Sequence, residues 1–254
     1  MHLILTGATG LVGSGVLDAM IKMKNVNKIS ILSRRPVQMA EDVKDPRINV
    51  IIHKDFDNYD SELLSQLKGA TGCVWALGIS QTQVGKEEYV KITKDYALAA
   101  SKAFQTLPPE QEPFNFVYVS GNGATTQPGR FSAIYARVKG ETELALAEMR
   151  KANPLFHGSS VRPAYIDAEQ HDAIKSYIPT QPFAIRALTT VMGPAIKCGF
   201  QEYWSPTAEL GQFLTEMAMG RYKDQFKAND IQMEGEFPIL ENSAFRRLGG
   251  FDRK

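Results

Sequence analysis

The chain has 254 residues, of which 43% are apolar and 22% are charged, and its formal net charge is +1. These proportions are typical of a globular protein with a substantial core, and the charge gives no reason to expect a nucleic-acid or membrane-surface partner. No apolar run approaches the ~20 residues of a membrane-spanning helix, and we expect no signal peptide. Cys73, Cys198 and the four histidines lack metal-ligand spacing, so we expect free thiols, no metal and a soluble, cytoplasmic protein.

The stretch Thr6–Gly13, TGATGLVG, follows a short apolar run and precedes residues 11–24, where apolar side chains recur at helical spacing. A strand, a glycine turn and a helix in this order are typical of the phosphate-binding corner of a dinucleotide-binding fold. We expect Gly7 to permit the turn, Gly10 to let a pyrophosphate approach the backbone, and Gly13 to let the helix pack closely on the sheet. The alternative is a strand-to-helix turn that merely needs glycine.

Six apolar runs separated by helical segments predict an α/β fold with a doubly wound, mostly parallel sheet. The expected strands are residues 1–5, 28–33, 48–53, 72–77, 114–119 and 156–161. The expected helices are residues 11–24, 57–67, 86–105, 132–152, 183–191 and 206–220, with a polar loop at 36–46. We expect one Rossmann-type domain over residues 1–254, in which 1–165 bind the cofactor and 166–254 form a substrate-binding portion that is not an independent domain.

The second strand, residues 28–33, ends in Arg34 and Arg35 with no acidic residue. In folds that bind NAD an acidic residue near this point accepts hydrogen bonds from the ribose, whereas an arginine accommodates a 2′-phosphate. Two guanidinium groups can make charge-assisted, bidentate contacts with phosphate, so the pattern predicts NADP(H). The alternative is that one or both arginines are solvated loop charges.

Tyr135 and Lys139 lie four residues apart in the helix expected from Ser132, so their side chains share one face. A nearby ammonium group lowers the pKa of a tyrosine from about 10, and Tyr135 would then be the general acid for a carbonyl oxygen that receives hydride. Ser120, after the fifth strand, would hydrogen-bond the same oxygen. The alternative is an amphipathic helix with a buried tyrosine and a solvated lysine.

Further polar and small residues follow the third and fourth strands. Asp55 could accept a hydrogen bond from the adenine amino group and Phe56 could flank its ring, although Asp55 could instead help to cap the next helix. Gly78 suits a close approach of the backbone to a ligand, and the polar loop after it, with Ser80, Gln81 and Thr82, could line the cleft.

Together, Thr6–Gly13, Ser120, the Tyr135/Lys139 pair and Arg162-Pro163 resemble the extended and atypical short-chain dehydrogenases/reductases. Within them the chain looks most like the branch with the Tat-interacting-protein oxidoreductases and the fungal proteins called nucleoside-sugar epimerase-like. The similarity covers about residues 1–166 and includes Ser33-Arg34-Arg35, Asp55-Phe56, Leu77-Gly78 and YARVKGE at 135–141. It implies cofactor contacts at Gly7, Thr9, Gly10, Leu11, Val12, Arg34, Arg35, Asp55, Phe56, Leu77, Gly78, Tyr135, Lys139, Pro163 and Tyr165.

The resemblance implies NADP(H) and carbonyl-type redox chemistry. We therefore expect an NADPH-dependent oxidoreductase that reduces a small, hydrophobic carbonyl, enone or imine as a monomer or homodimer. The alternatives are an NADP(H)-binding regulatory or redox-sensing protein without turnover, and an isomerase or dehydratase that retains its cofactor. A sugar-nucleotide epimerase is disfavoured because the chain is short and carries no basic cluster after Tyr165.

Overall fold

A computed structural model of the chain describes residues 1–180, 193–226, 228 and 230–251. The strands are β1 (His2–Thr6), β2 (Lys28–Ser33), β3 (Ile48–Ile52), β4 (Gly72–Trp75), β5 (Phe114–Val119), β6 (Phe156–Arg162), β7 (Tyr165–Asp167), β8 (Trp204–Pro206), β9 (Ile231–Glu234) and β10 (Phe237–Glu241). The helices are α1 (Leu11–Lys22), α2 (Gln38–Val43), α3 (Ser61–Leu67), α4 (Lys86–Val90), α5 (Tyr96–Phe104), α6 (Ile134–Ala152), α7 (Thr207–Ala218) and α8 (Asn242–Gly249). Residues 193–199 are also helical.

An eight-stranded sheet forms the centre of the fold, in the order β3-β2-β1-β4-β5-β6-β10-β9. Every neighbouring pair is parallel except β9 and β10. The predicted doubly wound, mostly parallel α/β sheet is confirmed. The order reverses between β1 and β4, and in such sheets ligands bind in the crevice at the carboxyl ends of the strands around this point. Strands β7 and β8 form a separate parallel pair.

Alternating side chains of the strands face two helix layers. In β1, Leu3 and Leu5 pack with α1, α7 and α8, whereas Ile4 packs with α3, α5 and α6. Strand β5 shows the same alternation. Val117 packs on the side of α1, α7 and α8, and the aromatic residues Phe114, Phe116 and Tyr118 pack on the side of α3, α5 and α6. This two-sided burial is what a parallel sheet covered on both faces requires. Within the described residues, no helix combines the length and the apolarity that crossing a bilayer demands.

Several predicted elements differ from the observed ones. Most bounds shift by no more than two residues. The helix expected at 57–67 is α3, which begins only at Ser61, because the Asp60 carboxylate accepts the Leu63 N–H at 2.8 Å and caps the helix there. The loop expected at 36–46 contains α2. The helix expected at 86–105 is interrupted by a π-helical turn at Lys91–Asp95. The helix expected at 183–191 lies outside the described residues.

The C-terminal part of the chain adds to the main sheet two strands, β9 and β10, that the sequence pattern did not predict, and the short pair of β7 and β8 was not predicted either. Strand β10 pairs in parallel with β6, and β9 pairs with β10 across a turn in which Gly235 has φ +61°. Residues 231–241 therefore extend the main sheet, in addition to any role of residues 166–254 at the substrate cleft. The expected domain division at residue 165 stays a prediction.

Candidate active site

The turn between β1 and α1 is packed so closely that glycine is needed at two positions. Gly7 has φ +72°, and a Cβ on it would lie 2.3 Å from the Ala76 carbonyl oxygen at the end of β4. A Cβ on Gly13 would lie 2.0 Å from the Gly7 carbonyl oxygen. Gly13 thus lets α1 approach the glycine turn closely, whereas the sequence predicted that it would let the helix approach the sheet. Gly10 is the N-cap of α1 and offers no side-chain acceptor. The first N–H groups of the helix, beginning at Leu11 and Val12, are therefore available to an anionic ligand.

A cleft of about 450 Å³ opens beside this turn at the carboxyl ends of β1, β2 and β4. Its lining includes many of the expected cofactor residues, namely Gly7, Thr9, Gly10, Arg34, Arg35, Phe56, Leu77 and Gly78. Ala76, Ile79, Ile92 and Tyr96 also contribute. Ile92 lies in the π-helical turn and Tyr96 directly follows it. This part of the helix therefore forms a wall of the first cleft, which the sequence pattern did not predict.

Arg34 and Arg35 are exposed at the β2 end of this first cleft. The buried Ser33 hydroxyl donates to the Arg35 carbonyl oxygen at 2.7 Å and accepts the Arg35 N–H at 3.3 Å, which shapes the turn that presents both arginines. Neither guanidinium group forms an ion pair within the described ranges. Both are available to an anion.

Phe56 and Asp55 occupy different positions relative to the first cleft. Phe56 is buried and its ring lies 5.8 Å from that of Tyr96. Asp55 is exposed and does not line the cleft, and its carboxylate accepts the Asp57 N–H at 3.1 Å and the Asn58 amide at 2.7 Å. The hydrogen bond from Asn58 is the main reason that the pKa of Asp55 is lowered. Asp55 does not cap α3, and its expected contact with adenine stays a prediction.

A second cleft, of about 590 Å³, lies at the carboxyl ends of β5 and β6. It is lined by Ser120, Gly121, Asn122, Pro163, Ala164, Tyr165, Ile166, Ile196, Phe200 and Tyr203. None of these side chains carries a charge at neutral pH. The Ser120 hydroxyl is buried and, among the described residues, has no hydrogen-bond partner. Since buried hydroxyls are normally paired, Ser120 is suited to bind a polar atom of a ligand.

Tyr135 and Lys139 both contact the segment that follows β5. The Lys139 ammonium donates to the carbonyl oxygens of Ser120 at 2.8 Å and Val119 at 3.2 Å, and burial lowers its pKa to about 8. The Tyr135 hydroxyl donates to the Asn122 carbonyl oxygen at 3.4 Å. The expected trio of Ser120, Tyr135 and Lys139 thus meets around one backbone segment.

The N-terminus of α6 differs from the sequence prediction. The helix begins at Ile134, and the Ser132 hydroxyl accepts the Gly129 N–H in the preceding turn. The Tyr135 N–H instead donates to the side-chain oxygen of Gln81 at 3.0 Å. The sequence signals this only by placing Ala133, which cannot cap a helix, before Ile134, and no local pattern links Tyr135 to Gln81, 54 residues earlier.

Arg162, the other residue of the Arg162-Pro163 pair, turns away from the second cleft. Its guanidinium donates to both oxygens of the fully buried Glu143, at 3.0 Å and 2.5 Å, and to Glu241 at 2.6 Å. The ion pair between Arg162 and Glu143 joins α6 to the end of β6, directly before the turn that lines the second cleft.

No family model matches the chain. It is 41% identical over 155 residues to botcinic acid biosynthesis cluster B protein 16 of Botryotinia fuckeliana, a match that covers 61% of this chain and 98% of that protein. It is 34% identical over 241 residues to leucinostatins biosynthesis cluster protein T of Purpureocillium lilacinum, covering 88% of this chain and 87% of that protein. A mitochondrial fmp52 protein of Emericella nidulans is 29% identical over 143 residues, covering 56% and 58%. Because that name says mitochondrial, the expected cytoplasmic location stays a prediction.

Solved structures share the fold at low sequence identity. The reductase domain of PhqB from Penicillium fellutanum has a TM-score of 0.64 at 14% identity and covers 94% of this chain and 66% of that one. The Bordetella bronchiseptica enzyme WbmF, solved with NAD+, has a TM-score of 0.63 at 11% identity and covers 100% and 79%. With the glycine turn, the parallel sheet and the two fungal biosynthesis-cluster relatives, these likenesses place the chain: it belongs to the atypical short-chain dehydrogenases/reductases.

Proposed function

We propose that this protein is an NADP(H)-dependent oxidoreductase that reduces a small, hydrophobic carbonyl, enone or imine compound. The observation that carries the proposal is the buried Ser120 hydroxyl, which has no hydrogen-bond partner in the described part of the chain. It lines an uncharged cleft and lies next to the backbone segment held by Tyr135 and Lys139. A carbonyl oxygen that gains negative charge during reduction needs a hydrogen-bond donor and an acid, and Ser120 and Tyr135 would supply them.

The first cleft fits a phosphorylated dinucleotide. Because Gly7 and Gly13 have no Cβ, the glycine turn lies close to the end of β4 and α1 lies close to the turn. The N-terminus of α1 supplies N–H groups for a pyrophosphate. Arg34 and Arg35 would bind the 2′-phosphate of NADP(H), because both guanidinium groups are exposed at the cleft and unpaired within the described residues. A bound nicotinamide would supply the hydride.

Ser120, Tyr135 and Lys139 would bind the substrate oxygen and supply its proton. Ser120 would donate a hydrogen bond to the oxygen and hold the substrate in line. As hydride adds to the carbonyl carbon, the electron pair of the broken π bond moves to the oxygen, which takes the proton of the Tyr135 hydroxyl. The remaining phenolate would be stabilised by the Lys139 ammonium and would recover a proton from water.

The lining of the second cleft supports an uncharged, apolar substrate. Ile196, Phe200 and Tyr203 form one wall, and about 590 Å³ is within the usual range for a small-molecule site. The adjacent Lys197 is 2.8 Å from Asp167 and also pairs with Glu169, so its charge is compensated. We infer that residues 166–254 form the substrate-binding portion of one domain, as the sequence suggests.

Two substitutions test this function. Tyr135→Phe is expected to keep the affinity for NADPH but to abolish turnover of a panel of ketones, enones and imines, measured by NADPH oxidation. Arg34→Ala is expected to weaken NADPH binding roughly tenfold and to leave NADH unchanged, because it removes one charge-assisted contact. Tight NADPH binding with no turnover on any substrate would instead favour a regulatory or redox-sensing protein. Equal affinity of the wild type for NADH and NADPH would contradict the cofactor assignment.

A further inference from the structure

The helix that carries Tyr135 lacks a cap from its own sequence. Ala133 precedes α6 and has no side chain able to accept a hydrogen bond, so the first N–H groups need partners from elsewhere. The Gln81 side-chain oxygen accepts the N–H of Tyr135 itself, at 3.0 Å and across 54 residues of sequence. A residue from the loop after β4 thus performs the role usually played by the N-cap residue.

The loop that holds Gln81 also reaches the first cleft. Gly78 and Ile79, just before it, line the cleft beside the glycine turn. The loop itself forms a turn at residues 80–83, where the Ser80 and Thr82 hydroxyls lie 2.8 Å apart and the Gln83 N–H donates to the Ser80 carbonyl oxygen at 2.9 Å. One short segment therefore contacts both the first cleft and the backbone of Tyr135.

We propose that Gln81 is a positioning residue that couples occupation of the first cleft to the orientation of Tyr135. The Gln81 oxygen holds the first turn of α6 without a ligand, and a dinucleotide against Gly78 and Ile79 would fix the loop further and so keep the Tyr135 hydroxyl in place for proton transfer. The inference rests on the proposed function for its catalytic consequence. The hydrogen bond acts on the Tyr135 backbone, so a displacement of the loop is transmitted directly to the phenol.

The test uses three variants of the full chain. Gln81→Leu removes the acceptor at similar size, Gln81→Glu retains an acceptor, and Gln83→Leu changes an exposed neighbour in the same loop as a matched control. Hydrogen exchange is followed by mass spectrometry on peptides that cover the first turn of α6, with and without NADP+. Steady-state kinetics with NADPH provide kcat and KM.

In the protein without NADP+, Gln81→Leu is expected to speed exchange in this turn roughly fivefold, the effect of losing a helix cap. NADP+ is expected to slow exchange there in the wild type, Gln81→Glu and Gln83→Leu but not in Gln81→Leu. The kcat of Gln81→Leu is expected to fall roughly tenfold with KM and NADPH affinity within about twofold of wild type, because misplacement of a catalytic group lowers turnover more than binding.

The proposal is overturned if Gln81→Leu and Gln83→Leu exchange alike, or if NADP+ protects the turn equally in both. It is also overturned if Gln81→Leu loses NADPH affinity as much as it loses kcat, since Gln81 would then only shape the cleft. Failure of the proposed function is distinguishable, because it would show as no wild-type turnover while the exchange results still report on Gln81.

Discussion

Gly123 leaves room for the Tyr135 hydroxyl, since a Cβ on Gly123 would lie 2.5 Å from that oxygen. Gly123 also has φ +84°, a conformation that side chains disfavour. We predict that Gly123→Ala lowers kcat roughly tenfold or more while NADPH affinity is unchanged, because the methyl group would displace the Tyr135 hydroxyl, the proposed proton donor, and does not reach the first cleft. Steady-state kinetics and NADPH titration measure the two effects.

The control for Gly123→Ala is Gly69→Ala. Gly69 has φ +80°, but a Cβ there meets nothing within 4 Å. Both substitutions carry the same backbone strain and only one contacts Tyr135. Equal losses of kcat in the two variants would show that strain alone explains the effect.

Lys139 gives the stability of the fold a dependence on alkaline pH. Burial lowers its folded pKa to about 8 from an ordinary value of 10.5, so between these values the unfolded chain binds more protons and the wild type gains stability as pH rises. We predict that the free energy of unfolding of the wild type, relative to Lys139→Met, rises by on the order of 2 kcal/mol across this window, allowing for partial hydration of the half-buried ammonium. Urea titrations at several pH values measure it, and a constant difference would contradict the linkage.

The sequence predicted the strands most reliably where local pattern and local structure coincide. The bounds of β2 and β5 match because each is a short run rich in β-branched and aromatic residues between turn signals. Strand β10 was missed because its pairing with β6 joins Arg162 to Glu241, far apart in the chain, and because Pro238 disfavours a strand interior. Partners separated by such distances leave no local pattern.

The candidate site divides in the same way. Gly7, Gly10 and Arg34 could be identified because a strand, a turn and a helix in succession determine where they lie. The hydrogen bond from Tyr135 to Gln81 depends on how two loops meet over the sheet, which no periodicity encodes. The direct approach of Lys139 to the Tyr135 hydroxyl stays a prediction, since the ammonium in this structure donates to the carbonyl oxygens of Val119 and Ser120.

Ser33 forms a turn with Arg35 and would thereby support the proposed preference for NADPH. We predict that Ser33→Ala reduces the preference for NADPH over NADH severalfold, because the turn that presents Arg34 and Arg35 loses two hydrogen bonds. Titrations of both cofactors measure the ratio. Ser65→Ala is the control, since the exposed Ser65 hydroxyl donates to the Glu62 carbonyl oxygen within α3, and it is expected to leave the ratio unchanged. A Ser33→Ala ratio equal to that of wild type would show that the arginines do not depend on this turn.

Glu143 and Glu141 allow a direct comparison of a buried and a partly exposed ion pair on α6. Glu143 is fully buried, binds the Arg162 guanidinium through both oxygens and accepts the Ser160 hydroxyl at 2.8 Å, whereas Glu141 is 40% exposed and pairs with Lys94 at 3.1 Å. Glu143→Gln leaves the buried Arg162 guanidinium with Glu241 as its remaining carboxylate partner, and the Glu241 side chain is 38% exposed. Because most of the compensation for a buried charge is lost, the substitution is expected to lower the free energy of unfolding by about 3 kcal/mol. Glu141→Gln is expected to cost less than about 1 kcal/mol, because water solvates the Lys94 ammonium that it leaves. Urea unfolding of both variants decides the matter: a similar loss in each would mean that Arg162 is held by Glu241 and not by Glu143.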